Sequence, residues 1–447
     1  MLISSLRMKT VLFLAMALAL SGCGMFDWLG DAPPRPLPGR RISVLQLDQR
    51  IDVDPELTEV PVRLPRPVVN AEWPQAGGEP NHAMYHLAAG GELKVAWRVS
   101  IGSGSDSDRK LLSPPVVGEG RVYVVDADSE VSAIDPATGK ILWRAEARAK
   151  ENRSDAVQPG GIGYAEGKVF VGTGYGQVLA LSASDGKELW RQPVPGPVRS
   201  PPTIAGGRVF VLTVDNQTFA LDANDGHRLW SHAGIPETAG LLGGASPAVD
   251  GGTLVVPYSS GEIFALRTEN GRVIWSDSLV AARRSDTIST LADIRGQPVV
   301  DRGLLIAISN SGRMASIDLR SGGRAWDSDL GGVEMPWVAG DFVYVLTSSG
   351  EVVCLRRSDG RVRWVIGIGR FIDPTATRPK PLIWTGPVLA GDRLIVAGAE
   401  GEVLALSPYT GDVLGHIKVP DGIMISPVIA DQTVYLLSDG GELIALR

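Results

Sequence analysis

The sequence predicts an all-β protein: an eight-bladed β-propeller of four-stranded antiparallel blades, closed by pairing an N-terminal strand with the C-terminal blade. Three observations predict it. An eleven-residue frame occurs seven times, a proline opens each repeat eight times, and a spare closing strand stands ahead of the first opening. Composition agrees, since 54 of 447 residues are Gly, 31 are Pro and 44% are hydrophobic. That mixture suits short strands and tight turns around a large core.

Residues 133–143 read Ala-Ile-Asp-Pro-Ala-Thr-Gly-Lys-Ile-Leu-Trp, and the frame returns at 180, 220, 265, 316, 354 and 405. Its seventh position is always glycine (Gly139, Gly186, Gly226, Gly271, Gly322, Gly360 and Gly411), the chemistry of a turn that needs positive φ. Its eleventh position holds Trp143, Trp190, Trp230, Trp275, Trp326 and Trp364, with Gly415 the one departure. The interval averages about 45 residues, the length of a four-stranded blade.

Within the third repeat, residues 200–204, 208–213, 217–221 and 227–231 read as successive strands. The opening prolines are Pro114, Pro159, Pro201, Pro247, Pro298, Pro336, Pro387 and Pro427, and Pro is acceptable where a strand begins. The last repeat ends one strand short at Arg447. Residues 92–101, with Trp97 in the frame's Trp position, supply the missing strand and protect both ring edges. Each blade Trp is expected to pack between neighbouring blades.

Arg7 and Lys9 precede an apolar run, 11–20, and then Leu20-Ser21-Gly22-Cys23, which describes an export signal too short to span a bilayer. Met8 serves equally as its start. The ending resembles the bacterial lipobox. That resemblance implies a signal peptide over 1–22, lipid on Cys23 and, with Gly24 following, anchoring at the periplasmic face of the outer membrane. Residues 23–72 are rich in Pro without sustained periodicity and read as a tether spanning on the order of 40 Å. The propeller takes 73–447, and whether the apolar stretch 42–47 docks as a strand stays open.

The net charge of −7 implies no phosphate-binding surface and so no nucleic-acid partner. Two cysteines exclude a disulfide-stapled scaffold and a four-cysteine zinc site. Cys354 stands in the alanine slot of its frame, a small core position. His82 and His86 are four apart but lack the glutamate of a zinc-protease motif. His227, His232 and His416 are scattered, and neither a Gly-x-Ser-x-Gly elbow nor a P-loop occurs. No catalytic, cofactor-binding or metal-ligating residue is assigned.

The frame Ala-x-Asp-x-x-Thr-Gly-x-x-x-Trp resembles the pyrroloquinoline-quinone (PQQ) type propeller repeat over 92–447. That group includes both quinone dehydrogenases and propellers without a cofactor, so the repeat speaks to fold more than to function. An exported, lipid-anchored propeller of this type is similar to the BamB family of the outer-membrane β-barrel assembly machinery. The resemblance implies a non-enzymatic scaffold without cofactor. It would be monomeric within the complex, bind a periplasmic POTRA domain of BamA beside other Bam subunits, and assist insertion of β-barrel proteins. In that family one contact is a Leu-rich loop with an Arg after the third repeat's Trp, and another an Asp-x-Asp loop between the fourth and fifth repeats. Here the first corresponds to Gly240-Leu241-Leu242-Gly243-Gly244, with Leu242 in the Arg position. The second is Leu291-Ala292-Asp293-Ile294-Arg295, with Arg295 in the second acidic position.

The partner-binding candidates are therefore Leu241, Leu242, Asp293 and Arg295. Their connections are long, sixteen residues between Trp230 and Pro247 and twenty-two between Trp275 and Pro298, the latter also holding Arg283, Arg284 and Asp286. The Trp364–Pro387 connection has twenty-two as well, so length alone does not mark a site. Two alternatives stay open on the residues: a periplasmic propeller that binds envelope or cell-wall components, and a PQQ-dependent dehydrogenase.

Overall fold

The computed structural model describes residues 51–148, 160–280 and 291–447. Thirty-two strands form eight antiparallel sheets of four, and one 3-10 turn at Pro55–Leu57 is the other regular element among the described residues. Blades 1 to 7 cover 116–146, 161–193, 203–233, 248–278, 299–328, 337–367 and 384–418. Blade 8 joins 428–446 to Val95–Ser100, with Trp97 opposite Ala445 and Val99 opposite Leu443. The chain ends close the ring as expected.

Second strands such as Phe342–Leu346 are buried throughout because a neighbouring blade covers each face of the sheet. Outermost strands such as Arg228–Ala233 alternate between half-buried and exposed residues. The frame glycines have φ between +70° and +83°. Each lies beneath the Trp of the preceding blade: a Cβ on Gly226 would be 2.5 Å from Trp190, and one on Gly271 2.5 Å from Trp230. The indoles also donate across the joints, Trp143 Nε1 to the Ala183 carbonyl at 3.0 Å and Trp275 Nε1 to that of Leu319 at 2.8 Å. The departure at Gly415 has a physical reason. The next blade is the closing one, where the chain ends replace the frame turn, so a Trp there would have no glycine to cover.

First strands begin one or two residues after the opening proline in most blades. Pro387 differs, because it lies inside Trp384–Ala390, where pairing shifts register between Thr385 and Val388. A second difference concerns the tether. Residues 51–72, read as tether from composition, are seated on the ring, and the compact body runs 51–447. Leu57 is buried, Val60, Val62 and Leu64 pack on the largest core cluster, and the Asp54 amide donates to the Val362 carbonyl of the outermost strand of blade 6. Alternate apolar residues in an extended Pro-rich chain present one face to the ring, which overall composition conceals.

From this strap the chain circles the inner edge of the propeller. The Asn70, Trp73 and Pro74 carbonyls accept from the amides of Asp431, Val117 and Tyr164 in blades 8, 1 and 2. Gln75 Oε1 accepts from Ile204 of blade 3, and the Pro80 and Asn81 carbonyls accept from Val249 and Val300 of blades 4 and 5. The Tyr85 carbonyl takes the Trp337 indole of blade 6, and the Leu87 amide donates to Leu389 of blade 7. The innermost strands have a free edge toward the axis, and this hub satisfies groups that would otherwise lack partners. His82 and His86 are buried parts of it, Nδ1 of each bonded at 2.7 Å to the carbonyls of Pro298 and Pro65. Strap and hub lie on the face of the frame glycines. The blade-to-blade connections lie on the opposite face.

Candidate partner-binding site

The site begins where the outermost strand of blade 3 ends. The Gly234 amide donates to the Asn216 carbonyl at 2.9 Å, and Asn216 Nδ2 donates to the Ile235 carbonyl at 2.7 Å. Asn216 Oδ1 accepts from the Ser259 amide at 3.1 Å and its hydroxyl at 3.0 Å, so one side chain ties the loop to blades 3 and 4. Further on, Asp293 Oδ2 accepts the Leu241 amide at 2.9 Å.

Arg199 closes this frame. Its Nη2 lies 2.9 Å from Asp293 Oδ1 and 3.2 Å from the Gly243 carbonyl, with side chains 5% and 0% exposed for Arg199 and Asp293. A charge pair so far from water holds only with good geometry and satisfied hydrogen bonds, and here both are present. The flanking glycines follow from it: a Cβ on Gly244 would collide with the Arg199 side chain, and one on Gly240 would stand 3.2 Å from Asp293 Oδ2.

The loop tip is thus anchored from below and presented outward. Leu242 is 50% exposed, while Leu241 is half-buried. Beside them runs a groove of about 570 Å³, lined among others by Val214, Asp215, Glu237 and Leu112. Val214, Ile235 and Val280 are further exposed apolar residues of blades 3 and 4 on this face. An apolar centre with an acidic rim has the make-up of a protein-binding surface.

The four sequence-derived candidates do not act together. Leu241 and Leu242 form the tip, and Asp293 is turned inward to hold it. Arg295 points toward the channel mouth, its Nη1 3.6 Å from Glu334 Oε1. Burial raises the Glu334 carboxyl above its usual pKa, against the pull of Arg295 and of hydrogen bonds from the Thr385 hydroxyl and Gly386 amide. Arg283, Arg284 and Asp286 lie outside the described residues, as does Cys23. Arg199 escaped the sequence reading. Its signal was faint: two residues before an opening proline, where the other repeats carry Leu112, Val157, Ala245, Gly296, Glu334, Thr385 and Ile425, this repeat alone carries a cation.

The channel mouth holds a cavity of about 110 Å³ among Trp73, Leu111, Met335, Met424, Arg295 and Glu334. A tricarboxylate quinone with its calcium needs several cations and a ring of metal-binding oxygens. Arg295 already faces Glu334, and among the described residues no three His, Cys, Asp or Glu are placed to hold a metal ion. These residues do not fit that cofactor.

Eight four-stranded blades built from PQQ-type repeats and closed by the chain's own strands define a β-propeller of the PQQ-repeat class. The model of a family described as outer membrane protein assembly factor BamB matches residues 152–366 and 375–447, well over half the chain. The protein belongs to that family. A model described as the β-propeller domain of glucose, ethanol and alcohol dehydrogenases matches 86–189. Outer membrane protein assembly factor BamB of Salmonella typhimurium is 28% identical over 357 residues, 79% of this chain and 88% of its own. That of Xanthomonas campestris pv. campestris is 29% identical over 356 residues, 78% and 85%. The crystal structure of BamB from Moraxella catarrhalis has a similar fold, with a TM-score of 0.66 and 24% identity over 80% of this chain and 100% of that one. These two sequence relatives, which span most of the chain, are named for assembly and not for a reaction, whereas a europium-containing methanol dehydrogenase, 17% identical over 82% of this chain and 89% of its own with a TM-score of 0.64, shares the fold alone.

Proposed function

We propose that the protein works in outer-membrane protein assembly, as its relatives are named for, as a non-enzymatic scaffold. Lipid on Cys23 holds it at the periplasmic face of the outer membrane, and it enters the assembly machinery as one copy beside other Bam subunits. Its task there is to bind a POTRA domain of BamA through the Leu241–Leu242 tip. The observation that carries this reading is the tip itself, an exposed leucine over a rigid buried base. A preorganised apolar anchor loses little entropy on binding.

The experiment is co-isolation of BamA from detergent-solubilised membranes. Leu241→Ala with Leu242→Ala weakens the association by about 2 kcal/mol, the common cost of truncating a hot spot, at unchanged thermal stability. Undiminished recovery of BamA by the double variant overturns the assignment of the tip.

A further inference from the structure

The long connection that the partner site leaves unused, between blades 6 and 7, is a small hairpin. The Ile372 amide donates to the Lys380 carbonyl at 3.0 Å and the Leu382 amide to that of Arg370 at 2.9 Å, with Phe371 bridged to Pro381. Asp373 Oδ1 caps the tip by accepting from the Thr375 amide and hydroxyl at 2.9 and 2.6 Å. Arg370, Arg378 and Lys380 are exposed on it, and among the described residues none has an ion-pair partner. Ile372 and Ile383 are 47% and 46% exposed. Three cations without an ion-pair partner, Arg370 lying over the Phe371 ring, stand beside two open isoleucines on a chain of net charge −7.

Position supplies the second argument. The hairpin grows from the outermost strand of blade 6, Val362–Gly367. The described chain meets the ring on that same strand, where Asp54 bonds Val362 and Ile51 packs with Val362 and Val365 on one core cluster. Cys23 lies twenty-eight residues upstream of Ile51. The tether's arrival and the hairpin are thus about 20 Å apart, one strand length. The Leu242 tip is three blade joints away round the ring.

We propose that the 370–383 hairpin rests on an anionic lipid surface, so that the flank of blades 6 and 7 faces the membrane and the Leu242 tip faces away. Cations at the headgroups with apolar side chains beneath them are the composition of an interfacial contact. The proposal takes only the position of Cys23 from the anchored scaffold, and its test needs no acylation.

The test uses the chain from Gly24 made without its leader, which keeps the whole compact body, sedimented with vesicles. The protein should bind phosphatidylglycerol–phosphatidylethanolamine vesicles, weaken with added salt, and leave phosphatidylcholine vesicles unbound. Each cation at such a surface is worth about fivefold in partitioning, so Arg378→Glu with Lys380→Glu should lower binding more than tenfold. Ile372→Ser with Ile383→Ser should lower it several-fold. Arg63→Glu with Arg66→Glu, on the strap, should leave it unchanged. Failure of the unsubstituted protein to bind anionic vesicles overturns the proposal, as does loss through the strap pair and not the hairpin pair. Loss of BamA co-isolation in the hairpin variants at unchanged vesicle binding overturns it too, by making the hairpin a protein contact. Failure of the scaffold reading would show separately, in the leucine variant's recovery of BamA.

Discussion

Arg199 and Asp293 stand ninety-four residues apart in the chain and pair at 2.9 Å, both buried, beneath the loop that carries Leu241 and Leu242. Neither side chain of the pair reaches the loop surface, with 5% and 0% exposed. Both Asp293 oxygens accept from the guanidinium, at 2.9 and 3.2 Å, and Oδ2 also accepts the Leu241 amide, so the work of Asp293 is to hold the loop.

Removing one partner strands the other charge out of water. Asp293→Ala should cost about 3–5 kcal/mol in denaturant unfolding, while Arg199→Met with Asp293→Leu should recover most of that stability. BamA recovery should fall in both, with the salt dependence of association unchanged, because no partner-facing charge has been removed. A salt dependence that changes with Asp293→Ala would place the carboxylate in the contact.

Gly244→Ala tests the same base from the loop side. Its Cβ would strike Arg199, and overpacking of this kind costs about 1–3 kcal/mol. Gly252→Ala, in a turn of blade 4 with open space around it, should cost less. Thermal unfolding of the two variants is the comparison.

Deletion of residues 92–101 removes Val95–Ser100 and leaves Glu442–Leu446 without its outer neighbour. Trp97, which covers Gly139 and donates to the Pro136 carbonyl at 2.8 Å, goes with it. The truncation should melt well below the full chain. An unchanged Tm would mean that ring closure contributes nothing.

His82 ties stability to pH. Burial lowers its pKa from 6.5 to about 4, against a hydrogen bond to the Pro298 carbonyl, and Nε2 has no partner. Between those values the unfolded chain takes up a proton that the folded chain refuses. The stability from a neutral His82 is therefore complete above pH 6.5 and lost as pH falls toward 4. The whole effect is roughly 3 kcal/mol. In His82→Asn, which tolerates the positive φ of 62°, unfolding free energy should fall less between pH 7 and pH 4.5 than in the unsubstituted protein.

Cys23→Ser should abolish palmitate labelling and leave the leader uncleaved by the lipoprotein peptidase. Labelling that persists would remove the lipobox reading.

The ring was legible because a propeller is a repeat. Seven frame glycines and their tryptophans set blade number, turn position and joint chemistry locally, and the unpaired 92–101 strand announced closure. Even Gly415 was visible as a departure, although its reason, a closing blade without a frame turn, needed the ring. The hub was not legible, since residues 70–87 follow no period and make one to three bonds to each blade in turn.

The candidate site divides along the same line. Chain order and local pattern by themselves determined the blades and the loop with adjacent leucines, because each is written within a few dozen residues. Only the tertiary structure decided that Asp293 turns inward to Arg199, that Arg295 serves the channel mouth, and that 51–72 lies on the ring. Those are long-range pairings, set by which side chains the closed ring brings within hydrogen-bond reach, and no local periodicity encodes them.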